Sequence, residues 1–118
     1  MNLKPIIDEE EIKELNRRFG GNIRYDSSIS FAIEAGRGKF IYRKIALFLR
    51  SIAVQHPFTD ANKRTALAVA LLAAERSGIK IADGSAGRIS KITKKIAETN
   101  EENTGKIERW VRYAFEGR

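Results

Sequence analysis

A short polar segment near the middle of the chain, His56-Pro-Phe-Thr-Asp-Ala-Asn-Lys-Arg-Thr65, concentrates the residue types that could do chemistry. His56 is the single histidine of the sequence, and a histidine can accept a proton at neutral pH. Asp60 offers hard carboxylate oxygens, which suit magnesium held together with substrate phosphates. Lys63 and Arg64 add two cations. Taken singly, each residue has an ordinary structural explanation, but their concentration predicts a site for a phosphorylated ligand.

Backbone groups of the same segment predict an anion site. Asn62 is a favourable N-cap residue, so we expect a helix to begin there with the N–H groups of Lys63, Arg64 and Thr65 unpaired. These groups would lie at the positive end of the helix dipole, where phosphate binds well. Ala61 leaves room for a ligand to approach the backbone closely. A nucleotide is the ligand that this combination favours.

Helical patterns flank the segment on both sides. Between residues 40 and 54 apolar residues recur at helical spacing, which predicts an amphipathic helix. Residues 63–77 are almost all Ala, Leu and Val, the composition of a helix packed centrally against several neighbours, and Gly78 ends it. Pro57 prevents the first helix from continuing, and Phe58 is apolar enough to pack into the core. We therefore expect a rigidly held loop between two helices.

The remaining apolar stripes predict a compact helical bundle. Helical spacing recurs near residues 8–19, 26–36, 89–96 and 107–115. Short alternating stretches are too few to supply a β-sheet. The length of 118 residues matches the usual size of one domain. We predict an all-α single domain over residues 1–118, with about six helices around the central apolar helix 63–77.

Composition excludes several classes of protein. The sequence has no cysteine, which excludes disulfides and thiolate metal sites, and its single histidine excludes a multi-histidine metal site. The longest apolar run, residues 66–74, is far shorter than the ~20 residues that cross a bilayer. The first residues lack the apolar core of a secretory signal. We expect a cytoplasmic protein without a membrane partner.

The formal net charge of +7 favours an anionic partner. Nucleic acid, nucleotide phosphates and an acidic protein all fit this charge. The basic residues are scattered over several predicted helices without a recognition-helix pattern, so direct nucleic-acid binding is not favoured. A non-catalytic basic module that binds nucleic acid or protein is nevertheless an alternative to an enzyme.

The pattern His-x-Phe-x-Asp-Ala-Asn-Lys-Arg-Thr-Ala resembles the signature of the Fic/Doc family, and closely that of its death-on-curing (Doc) branch. The resemblance implies a Fic/Doc-like helical domain in which His56 is the general base and Phe58 anchors the loop. It implies that Asp60 holds Mg²⁺. It also implies that nucleotide phosphates are bound by backbone amides around Ala61 together with Asn62, Lys63 and Arg64.

Two residues distinguish this sequence from the commonest Fic pattern. Lys63 stands where that pattern has a glycine, and Leu67 stands where Fic AMP-transferases usually have a phosphate-binding arginine. Both resemble the Doc branch, which implies transfer of the γ-phosphate of ATP, with Mg²⁺, to a Ser or Thr hydroxyl of a target protein. Elongation factor Tu is the target that the resemblance suggests. A Fic-type AMP-transferase is the alternative.

The resemblance also implies two protein contacts. It places a flap that docks the target segment, by strand-like pairing, at Arg37, Gly38, Lys39 and Phe40. Many Fic proteins carry an inhibitory helix of their own, and residues 30–35 nearly match its pattern, but Ala35 breaks it. We therefore expect a separate antitoxin protein to supply the inhibition.

Overall fold

The computed structural model describes residues 4–117, which fold into six α-helices and one π-helical turn. The helices are α1 (Glu9–Arg18), α2 (Ser27–Gly36), α3 (Ile41–Leu49), α4 (Asn62–Arg76), α5 (Ser85–Thr99) and α6 (Thr104–Glu116). Within these residues there is no β-strand, only an isolated antiparallel bridge between Ile23 and Phe58. The predicted all-α fold with about six helices is confirmed.

Helix α4 is the central helix, as the Ala-rich stretch predicts. It packs against α1, α3 and α5, and several alanines along it are fully buried, namely Ala66, Ala70, Ala73 and Ala74. Because these side chains are small, neighbouring helices can approach α4 closely. The radius of gyration is 12.9 Å, close to the ~13 Å typical of a compact domain of about this size.

The helix predicted over residues 40–54 changes its hydrogen bonding part-way along. α3 is α-helical to Leu49, and Arg50–Val54 continue it as a π-helical turn. The sequence predicted one amphipathic helix because the apolar stripe runs through both parts, and Ile45, Leu49 and Ile52 are all fully buried. The π-helical turn ends at Val54, and only Gln55 separates it from the polar segment that begins at His56.

Helices α5 and α6 close the bundle. The two predicted apolar stripes are largely buried, at Ile89 and Ile96 on α5 and at Ile107 and Val111 on α6. The α6 N-terminus is capped by Asn103, whose side chain accepts a hydrogen bond of 3.0 Å from the backbone N–H of Lys106.

The longest helices, α4 and α5, have 15 residues each. Among residues 4–117, no helix is both long enough and apolar enough to cross a membrane.

A paired carboxylate connects the start of α1 to the end of α4. Asp8 and Glu11 form a capping box, in which each side chain accepts the backbone N–H of the other, at 2.8 Å and 3.2 Å. The Arg76 guanidinium donates two hydrogen bonds to the Glu11 carboxylate, at 3.0 Å and 2.5 Å. These bonds from Arg76 hold the pKa of Glu11 below its usual range. The ionised form of Glu11 therefore stabilises the fold.

Glu11→Gln should lower the free energy of unfolding at pH 7 by about 0.5–1 kcal/mol, a small value because the ion pair is partly exposed. The folded-state pKa of Glu11 lies below its unfolded value, so its contribution is present above the unfolded pKa and is lost as the pH falls through the folded one. Urea unfolding at several pH values should therefore show the difference between wild type and variant shrinking below about pH 4. Glu10→Gln, at a side chain that is 75% exposed, is the control. A deficit that stays constant down to pH 3 would contradict this assignment.

Candidate active site

The polar segment is held in place by the linker between α1 and α2. The backbone N–H of Arg24 donates to the Pro57 carbonyl at 2.7 Å, and the N–H of Thr59 donates to the Asn22 carbonyl at 2.9 Å. The N–H of Asn22 in turn donates to the Thr59 hydroxyl at 3.1 Å. The role of this linker was not predictable from the sequence, because so short a backbone pairing leaves no alternating pattern of apolar residues.

Phe58 is buried, as predicted, with only 1% of its surface exposed. Its backbone is bound by the amide side chain of Asn62. The Asn62 Oδ1 accepts the N–H of Phe58 at 3.1 Å, and the Asn62 Nδ2 donates to the Phe58 carbonyl at 3.0 Å. The buried ring and the amide together close the loop against the domain.

The prediction that Asn62 is the N-cap of the central helix is wrong. Ala61 occupies the N-cap position with φ 60°, and Asn62 is the first helical residue. The Asn62 side chain does not cap the helix because it is hydrogen-bonded to the backbone of Phe58. The backbone N–H of Thr65 donates to the Ala61 carbonyl at 2.9 Å. The N–H of Thr65 is therefore not available to a ligand, and the N–H of Asn62 is available in its place.

Three backbone N–H groups at the start of α4 lack an acceptor among residues 4–117, those of Asn62, Lys63 and Arg64. Such groups carry the positive end of the helix dipole. They can bind an anion without first breaking an internal hydrogen bond. The predicted phosphate site thus has three suitable backbone donors, with Asn62 in place of the expected Thr65.

The residues predicted to act on or bind the nucleotide lie around one open cleft of about 500 Å³. The cleft is lined by Phe19, His56, Thr59, Asp60, Ala61, Asn62, Lys63 and Arg64. The side chains of His56, Asp60, Lys63 and Arg64 are exposed to solvent there. A cleft of this volume can hold a nucleotide-sized ligand. The structure thus brings together the proton acceptor, the carboxylate and both cations.

Asn16 supports the cleft from beneath, a role that the sequence did not reveal. This α1 residue is fully buried. Its Nδ2 donates to the Asp60 carbonyl at 2.9 Å and to the Thr65 hydroxyl at 3.0 Å. One amide therefore connects α1 to both the loop and α4. The detectable signal is a polar residue within the apolar face of α1.

Phe19, at the end of α1, positions one of the cations. The Arg64 guanidinium carbon lies 5.5 Å from the centre of the Phe19 ring, a cation–π contact. Neither Lys63 nor Arg64 has an acidic partner within residues 4–117. Both charges remain available to a phosphate in the cleft.

Asp60 fits a magnesium ion that is shared with substrate phosphates. Its Oδ1 accepts the N–H of Ala61 at 2.7 Å, which fixes the carboxylate and leaves Oδ2 available to a cation in the cleft. Residues 4–117 contain no cluster of three acidic or histidine side chains that could hold a metal by itself. Magnesium often binds through one or two carboxylates together with substrate phosphates and water, and Asp60 could supply one such carboxylate.

The proposed flap residues do not line this cleft. Residues 37–39 form a turn after α2, and Phe40 precedes α3 with 66% of its surface exposed. Arg37 and Gly38 instead border a separate cavity between α2, α3 and the chain before α1. Docking of a target segment on residues 37–40 stays a prediction.

Comparison with known proteins bears on the segment that contains this cleft. Residues 26–74 match the model of the Fic/DOC family. The match runs from the residue before α2 nearly to the end of α4, and it includes every predicted site residue. Fic/Doc proteins generally transfer parts of nucleotides to proteins, so the match supports a protein-modifying transferase. No curated protein and no solved structure matches the chain significantly.

Gly21 should be essential to the shape of this cleft. A Cβ at this position would lie 2.4 Å from Asn16 Oδ1 and 2.6 Å from the Asp60 carbonyl oxygen. Gly21→Ala must therefore displace the backbone next to Asp60, and we expect a loss of about 1–3 kcal/mol in the free energy of unfolding. Thermal unfolding and titration with Mg-ATP should show lower stability and weaker binding.

The matched control is Gly87→Ala, because a Cβ there meets no atom within 4 Å. This exposed α5 position should gain slightly in stability, by up to about 1 kcal/mol, with unchanged ATP binding. If Gly21→Ala behaves like Gly87→Ala in both measurements, the close packing of Gly21 against Asn16 and the Asp60 carbonyl does not shape the cleft.

Proposed function

We propose that this protein is a Doc-like toxin that transfers the γ-phosphate of ATP to a Ser or Thr hydroxyl of a target protein. The observation that carries the proposal is the convergence of His56, Asp60, Lys63 and Arg64 on one cleft. Unpaired backbone donors at the start of α4 border the same cleft.

His56 is the residue suited to accept the proton of the target hydroxyl. Its side chain is exposed in the cleft, and its backbone adopts φ 49°. In the transfer step the hydroxyl oxygen attacks the γ-phosphorus, and the bond from that phosphorus to the bridging oxygen of ADP breaks. The hydroxyl proton passes to His56. The bridging oxygen keeps the electron pair of the broken bond, so ADP leaves with one additional negative charge.

Charge neutralisation is the main task of the remaining residues. Phosphoryl transfer depends mostly on positioning and on electrostatic stabilisation of the phosphate oxygens. The backbone N–H groups of Asn62, Lys63 and Arg64 and the two cationic side chains can supply both. Asp60 would hold Mg²⁺, which neutralises phosphate charge when bound.

Lys63 and Leu67 favour γ-phosphate transfer over transfer of AMP. Lys63 fills space and adds charge beside the phosphate donors, which influences how the nucleotide lies and which phosphorus faces His56. Leu67 is half-buried and cannot contact a phosphate through a charged group. Fic-type AMP transfer is the alternative outcome that the labelling experiment below distinguishes.

A toxin of this kind would be inhibited by a separate antitoxin. The nearly matching inhibitory segment of this chain does not line the active cleft, and Glu34 forms an ion pair of 3.0 Å with Arg37. Residues 30–35 therefore place no side chain at the cleft that could inhibit the protein from within its own chain. By its resemblance to the Doc branch, the protein would act on elongation factor Tu and so block translation.

A non-catalytic binding module is the alternative from another class. Phe48 and Phe115 are buried and Trp110 is half-buried, as their helical spacing predicts, so they do not form an exposed stacking surface for nucleic acid. Such a module would require neither ATP nor His56.

Cell lysate incubated with the purified protein and Mg²⁺ should incorporate label from γ-labelled ATP but not from α-labelled ATP. His56→Ala should slow this transfer on the order of 10²- to 10⁴-fold, the usual contribution of a general base. His56→Asn is the second variant, because asparagine tolerates a positive φ better than alanine. Intact mass of the modified target identifies the adduct.

Gln55→Ala controls for damage to the loop, since this neighbouring side chain is exposed and makes no hydrogen bond within residues 4–117. It should transfer phosphate at nearly the wild-type rate. Label from the α position would establish AMP transfer instead. Undiminished transfer by both His56 variants would remove His56 from the reaction.

A further inference from the structure

A second groove adjoins the active cleft on the α5 side of α4. It has a volume of about 290 Å³ and is lined by Lys63, Arg64, Leu67, Ser90, Thr93 and Lys94. Lys63 and Arg64 line both the groove and the active cleft. The two spaces therefore share a wall of cationic side chains. Ser90 and Lys94 lie beyond residue 74, where the family match ends.

The groove offers polar groups that the fold does not use. Lys94 and Ser90 are exposed, and neither side chain makes a hydrogen bond or ion pair within residues 4–117. Thr93 is buried, and its hydroxyl donates to the Ile89 carbonyl at 2.8 Å, which leaves the oxygen able to accept only. Leu67 contributes an apolar surface. Of the three α5 residues that line the groove, Lys94 is consequently the strongest anion-binding group.

We propose that this α4–α5 groove is a second phosphate subsite, in which Lys94 binds the part of a nucleoside triphosphate chain that the active cleft does not hold. The proposal rests on the proposed phosphotransferase function and names a further phosphate-binding residue for it. One phosphate lies against the backbone donors of α4, and its neighbours extend past Lys63 and Arg64 to Lys94.

Charge and size favour a polyphosphate in the groove over a segment of protein. A triphosphate carries several negative charges in a short chain, and Lys63, Arg64 and Lys94 supply a matching run of cations across both spaces. The groove has roughly the volume of the smallest ligand pockets, which suits a small anionic group. Binding at two points also fixes the direction of the triphosphate, which determines the phosphorus that faces His56.

Calorimetric titration of the whole protein with inorganic tripolyphosphate and with orthophosphate, each with Mg²⁺, tests this subsite without any target protein. Lys94→Ala should weaken tripolyphosphate binding by about 5- to 20-fold, the effect of losing one charge-assisted hydrogen bond. Orthophosphate binding should stay within about twofold, because one phosphate needs only the α4 donors. Lys94→Arg should restore most of the affinity for tripolyphosphate.

Lys91→Ala is the matched control. Lys91 lies on the same helix, is exposed, and does not line the groove. It removes the same charge and should leave both affinities close to wild type. An equal loss in Lys91→Ala and Lys94→Ala would show a general effect of net charge and would overturn the subsite, as would unchanged tripolyphosphate binding in Lys94→Ala.

Transfer assays distinguish this proposal from the proposed function. If wild type transfers phosphate and Lys94→Ala impairs the use of ATP, through a higher KM for ATP or a lower kcat, while the KM for the protein acceptor stays unchanged, both proposals stand. If Lys94→Ala changes only the KM for the protein acceptor, the groove serves an acidic protein segment and the subsite is wrong. If no transfer occurs but Lys94→Ala selectively loses tripolyphosphate binding, the subsite stands and the proposed function fails.

Discussion

The geometry of the active cleft depends on hydrogen bonds between the motif loop and residues that lie far from it in sequence. Asn16 on α1 binds the Asp60 carbonyl and the Thr65 hydroxyl, and the linker at Asn22 and Arg24 pairs with the other side of the loop. These bonds hold backbone groups of the loop and the Thr65 hydroxyl, and none of them involves the side chains of His56, Asp60, Lys63 or Arg64. The result is a loop whose proposed catalytic side chains are exposed while its backbone is fixed, the arrangement that preorganises an active site.

This support matters because the loop contains strained backbone. His56 and Ala61 adopt positive φ angles of 49° and 60°, and a left-handed conformation costs a non-glycine residue roughly 1–2 kcal/mol. Such conformations persist where the surroundings hold them, and they are common at active sites. The buried ring of Phe58 lies between the two strained residues, and the amide of Asn62 binds its backbone. The positive φ at Ala61 immediately precedes the first turn of α4, whose N–H groups remain free.

The sequence predicted most of the fold because helices leave local, periodic patterns. The central helix and the stripes of α5 and α6 were predictable from residues such as Val69, Ile89 and Val111, all of which are buried. The π-helical turn was not, since its side chains continue the α3 stripe. The partners of Asn16 and Asn62 were not predictable either. Asn16 bonds to a residue 44 positions away, and Asn62 looked like a cap because asparagine is common there.

The proposed function requires that the start of α4 bind the phosphates of ATP. A titration of ¹⁵N-labelled protein with Mg-ATP, followed by amide ¹H–¹⁵N spectra, tests it most directly because it reports each backbone N–H separately. Phosphate binding at this position should give the largest shifts at the amides of Asn62, Lys63 and Arg64, with small changes on the far face of α6. Largest shifts around Ala32 and Phe48, beside the separate cavity, or no shifts at saturating ATP, would contradict it.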